Sequence, residues 1–146
     1  MGIQASPSKL LQASVSKNPE TIALDDGTNC LTWADLDNAV TRMRRFLTKA
    51  GIERGDRIAC VLGNSTDVFI VLLATLHSGL TLVPINWHLT REEISYILDD
   101  SGSRLLFTDE ERFDLATEAA CLTGGLPVVQ ASNIEETFPP LEDEVC

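Results

Sequence analysis

Two histidines are all the imidazole that this 146-residue chain carries. No Ser/His/Asp or Cys/His catalytic set can be assembled around so few partners. The four cysteines, Cys30, Cys60, Cys121 and Cys146, show no CxxC spacing. With only His77 and His88 to join them, the pattern of a zinc site is absent. Positive charge is scarce too: 11 basic residues face 22 acidic ones, for a net charge of −11. That balance argues against nucleic acid and anionic membrane as partners. No apolar run reaches the roughly 18 residues of a membrane-spanning helix, and residues 1–17 lack the charged-then-apolar order of a secretion or transit signal. There is no G-x-x-x-x-G-K-[ST] and no G-x-G-x-x-G behind a strand, so neither a P-loop nor a dinucleotide fingerprint is present.

What is there suits one globular domain. Hydrophobic residues make up 44% and charged residues 23%, an ordinary composition for a soluble fold. A chain of this length buries roughly 68–70% of its unfolded surface. Cys60 falls in an apolar strand and Cys121 in an alanine-rich helix, so both read as small core residues, and the cysteine usage fits a reducing, cytoplasmic setting. Six of the 11 basic residues, Arg42, Arg44, Arg45, Lys49, Arg54 and Arg57, crowd one stretch. They read either as an anion-binding patch or, more simply, as the solvated face of one helix and its exit loop.

Residues 6–17 are expected as a first helix, ended by Asn18-Pro19 because the residue before a proline is pushed out of the helical region. Ile22-Ala23-Leu24 and Cys30-Leu31-Thr32 flank Asp25-Asp26-Gly27-Thr28-Asn29 and read as a β-hairpin. Trp33, Leu36, Ala39, Val40, Met43, Phe46, Leu47 and Ala50 recur at helical spacing, with Thr32 and Asp35 as a capping box and Gly51 as the stop. Three strand–helix units follow: strand 57–62 with helix 67–78, strand 81–85 with helix 91–99, and strand 104–107 with helix 110–122. A further strand opens at Pro127. Units of this length imply a parallel sheet with right-handed crossovers. The expected class is therefore α/β, a parallel sheet of consecutive βα units behind an N-terminal helix and a β-hairpin. Residues 1–131 form the subdomain. Residues 132–146, which hold five acidic residues and no basic one, form a connector, and Val145-Cys146 reads as the opening of another strand. The helix at 67–78 is apolar nearly all round and calls for burial on more than one side.

Three spots could carry chemistry. Gly63-Asn64-Ser65 lies at a strand-to-helix turn, where backbone N–H groups can hold an anion; the simpler reading is that Asn64 or Ser65 caps the helix. Trp87-His88 follows a strand's C-terminal end, the edge at which open α/β sheets bind ligands; the simpler reading is a packed Trp beside a surface His. Asp99-Asp100 lacks a third carboxylate nearby and reads as a helix end and turn. From these residues alone, no function can be assigned.

In order, the chain presents Asn18-Pro19-Glu20, a hairpin, Leu31-Thr32-Trp33-x-x-Leu36, Gly51-Ile52-x-x-Gly55-Asp56-Arg57, Leu62-x-Asn64-Ser65, Leu76-His77-Ser78-Gly79, Val83-Pro84-Ile85-Asn86-x-x-Leu89-Thr90 and Glu93-Ile94-x-Tyr96-Ile97-Leu98-x-Asp100-Ser101. This ordered set, over about residues 10–130, resembles the N-terminal part of the adenylate-forming (AMP-binding) enzymes of the acyl-CoA synthetase type. Asn86 after Pro-Ile resembles the acyl-CoA and aryl-CoA synthetases. Peptide-synthetase adenylation domains, which more often carry Asp there, are the second choice.

The resemblance implies a partial N-terminal subdomain of that fold. It also implies a parent that uses ATP and Mg²⁺ to activate a carboxylate as its acyl-adenylate and passes the acyl group to coenzyme A. In the family, the phosphate-binding loop, the metal-binding Glu, the ribose-binding Asp and the adenylation Lys all lie C-terminal to the part matched here. No catalytic, cofactor-binding or metal-binding residue is therefore carried over to this sequence. The chain is expected to bind neither ATP nor coenzyme A better than about millimolar, to be catalytically inert, and to need the remainder of the enzyme as its partner. Exposed apolar surface is expected to make it self-associate. It reads as an expressed piece or gene fragment; a stand-alone interaction module and one half of a split enzyme are the alternatives.

Overall fold

A computed structural model describes residues 7–134. Residues 135–146, which include most of the expected acidic connector and the strand expected to open at Val145-Cys146, lie outside the described residues. The elements run α1 (Pro7–Lys17), β1 (Ile22–Asp25), β2 (Cys30–Thr32), α2 (Trp33–Lys49), β3 (Arg57–Val61), α3 (Thr66–His77), β4 (Thr81–Pro84), α4 (Arg91–Ser101), β5 (Leu105–Thr108), α5 (Phe113–Leu122) and β6 (Val128–Gln130). β1 and β2 form the antiparallel hairpin. The other four strands make one sheet in the order β4-β3-β5-β6, every pair parallel, with Ile58 of β3 opposite Leu82 of β4 and Leu105 of β5. The expected α/β class and parallel pairing are both observed.

A parallel sheet covered on both faces needs apolar residues on both sides of each strand, and the strand sequences supply them by simple alternation. Ile58, Cys60, Leu62, Leu105 and Phe107 join one core with Leu11 of α1, Leu36, Val40, Met43, Phe46 and Leu47 of α2, and Val71 and Ala74 of α3. Phe46 and Phe107 meet there in a tilted ring pair 6.0 Å apart. Ala59, Val61 and Leu106 face the opposite way, against Ile94 and Leu98 of α4 and Ala116, Ala119 and Ala120 of α5. The result is three layers, helix–sheet–helix.

Capping chemistry sets the helix starts. Thr32 Oγ1 accepts the Asp35 N–H while Asp35 Oδ2 accepts the Thr32 N–H, the reciprocal box expected ahead of α2. Thr90 and Glu93 do the same ahead of α4. α5 starts three residues later than its pattern suggests, because Asp109 Oδ1 accepts the Arg112 N–H at 3.0 Å and closes a separate turn first. Asp99 and Asp100 are exposed residues inside α4, which runs on to Ser101, rather than its end. α3 buries Thr66, Val71, Ala74 and Thr75 but leaves Phe69 and Leu76 about half exposed, at 49% and 47%, so its burial covers only part of its apolar circumference. Cys60 is buried, which pushes its thiol pKa up to about 11. Cys121 departs from the core reading: it is only half-buried.

Candidate functional site

The C-terminal ends of β3, β4 and β5 bring together residues far apart in sequence. The sharp turn Gly63-Asn64-Ser65 leaves β3, Asn86-Trp87-His88 leaves β4, and Asp109 leaves β5. Asp109 Oδ2 accepts the Gly63 N–H at 2.8 Å and pairs with Arg112 Nη1 at 2.7 Å. The Arg112 guanidinium lies so close over the turn that a Cβ on residue 63 would meet its Nη1 at 2.8 Å, so a glycine is what lets the side chain settle there.

The same guanidinium is 4.3 Å from the centre of the Trp87 ring, within cation–π range. Trp87 in turn stacks on His88 with ring centres 3.6 Å apart. His88 is fixed from behind, its N–H donating to Asn86 Oδ1 at 3.0 Å and its Nδ1 lying 3.0 Å from the same oxygen. Trp87-His88 therefore lies at the C-terminal edge of the sheet, and both residues are exposed, Trp87 at 37%, so Trp87 stacks on its neighbours at the surface rather than packing into the core. Asp109 and Arg112 went unremarked in the sequence because their partners are Gly63, 46 residues back, and Trp87.

Neither Asn64 nor Ser65 caps α3, which corrects the sequence reading. Ser65 occupies the cap position in extended backbone without a side-chain cap bond. The carboxylate comes instead from the hairpin, 40 residues earlier: Asp26 Oδ2 accepts the Thr66 N–H at 2.8 Å. Asp26 Oδ1 accepts the N–H groups of Thr28 and Asn29 within its own turn. Bonds from Asn29, Thr66 and Thr28 to the charged form bring the Asp26 pKa down to about 2. Asp67, at the head of the same helix, moves the other way; burial raises its pKa, and Asp26 and Asp109 add to the rise.

These contacts decide what the edge can hold. At the start of α3 the Gly63 and Thr66 amides already serve Asp109 and Asp26, and an anion placed there would also face half-buried Asp67. Among the described residues no group of three His, Cys, Asp or Glu that could hold a metal ion exists. At the other end of the sheet Asp56, from the Gly55-Asp56-Arg57 motif, accepts the Glu53 N–H at 2.8 Å and pairs with Arg104 at 2.7 Å, tying the entry of β3 to the entry of β5.

The match to a family model described as AMP-binding enzyme extends over residues 11–144. The fatty acid–[acyl-carrier-protein] ligase ScoC of Streptomyces coeruleorubidus is 40% identical over 93 residues, which are 64% of this chain and 18% of that protein. Malpibaldin synthetase of Mortierella alpina is 38% identical over 101 residues, covering 69% of this chain and 2% of its own length. Among solved structures, the O-succinylbenzoate coenzyme A synthetase of Bacillus subtilis in complex with AMP superposes with a TM-score of 0.75 at 26% identity, over 90% of this chain and 34% of that one. The chain thus spans a small part of the curated relatives and about a third of that structural one.

Proposed function

Since the chain belongs to the AMP-binding enzyme family, we propose that it is the N-terminal subdomain of an ATP-dependent acyl-CoA synthetase and performs no adenylation by itself. The whole enzyme joins a carboxylic acid to coenzyme A through an acyl-adenylate, with ATP and Mg²⁺ as its co-substrate and metal. Fatty-acid activation in the cytoplasm is the setting we favour, in keeping with the acidic composition and the likeness to a fatty acid ligase. No helix among the described residues is long and apolar enough to cross a membrane.

The inert reading rests on the resemblance, in which the phosphate-binding loop and the adenylation Lys lie C-terminal to the matched part, and the occupied turn at the start of α3 supports it by offering no ready substitute. A phosphate cradle needs free backbone donors and nearby positive charge. Here the Gly63 and Thr66 amides serve Asp109 and Asp26. The chain's own work is architectural: three covered layers whose sheet edge is locked by Asp26, Asp109 and Arg112, forming a wall for the remainder of the enzyme, its partner in this reading. The half-exposed Phe69 and Leu76 give that remainder a surface to cover, and give the isolated chain a reason to self-associate.

A second reading, the matching part of a peptide-synthetase adenylation domain, has the likeness to malpibaldin synthetase in its favour. The DNA downstream of codon 146 tests these readings. A frame continuing into a Thr/Ser/Gly-rich loop, with no carrier or condensation domain behind it, is the expected result. Such domains in the same frame would favour the peptide synthetase, and a neighbouring gene for the remainder would indicate a split enzyme. A stop with neither would contradict the proposal in favour of a stand-alone module.

A further inference from the structure

We draw no further inference here: the strongest candidate, the crevice between the turns that follow β3 and β5, lined by Ser65, Asp67, Asp109, Glu110, Glu111 and Arg112, is an acidic cluster at the head of α3 and belongs to the strand-edge site already described.

Discussion

At the scale of single residues, Asp26 does the most. Its carboxylate closes the hairpin turn and caps α3 at once, through the amides of Thr28, Asn29 and Thr66. These bonds hold its folded-state pKa near 2, against an ordinary value of 3.8. A carboxylate with a lowered pKa adds stability above its ordinary value, and that stability drains away as the pH falls toward its folded value. The parent chain should therefore lose melting temperature between about pH 4 and pH 2. Asp26→Asn should melt lower at pH 7 and should flatten that acid slope, as read by circular dichroism. Asp67 has the opposite sign. Its pKa is raised by burial, with Asp26 and Asp109 adding to the rise, so its charge opposes folding at neutral pH. Asp67→Asn should raise the melting temperature at pH 7, and the gain should vanish in acid, where Asp67 is already neutral. An Asp67→Asn protein that melts below the parent at pH 7 would contradict this assignment.

At the scale of elements, local signals were legible and long-range ones were not. The boxes Thr32/Asp35 and Thr90/Glu93 sit within four residues of chain, so the starts of α2 and α4 could be read directly. Thr90→Ala should cost about 1 kcal/mol in urea unfolding, the usual worth of such a cap. The even spacing of short apolar strands made the parallel sheet legible as well. The cap of α3 was not, because its carboxylate comes from the hairpin, and nothing around Thr66 marks Asp26 as the acceptor of its N–H. The Gly63–Asp109–Arg112–Trp87 cluster was hidden for the same reason: three loops meet only once the sheet has formed. In α3 the apolar circumference called for burial on more than one side and for exposed apolar surface on this chain alone, and Phe69 and Leu76 are indeed about half exposed. If that face drives self-association, the double variant Phe69→Ser/Leu76→Gln should shift the sedimentation profile toward monomer at high concentration. An unchanged profile would place the association elsewhere.

At the scale of the whole molecule, the sheet, its two helical layers and a family match over residues 11–144 describe an adenylate-forming fold in part. At its sheet edge the chain has Asp109 and Asp26 bonded to the Gly63 and Thr66 amides of the turn before α3. Charge stabilisation at the phosphates is usually the largest single catalytic term in such chemistry. The family motifs legible in the sequence, such as Gly55-Asp56-Arg57, turn out to hold structural contacts, here the Asp56–Arg104 tie. Catalysis by the isolated chain is the direct test. ATP–pyrophosphate exchange should be measured with rigorously purified 146-residue chain, free of host synthetases, across fatty, aromatic and amino acids with Mg²⁺ present. The expected result is exchange no faster than the protein-free blank for every acid. Acid-dependent exchange that tracks the purified chain and is lost in Asp109→Ala would contradict it, and would make the strand-edge cluster a catalytic site.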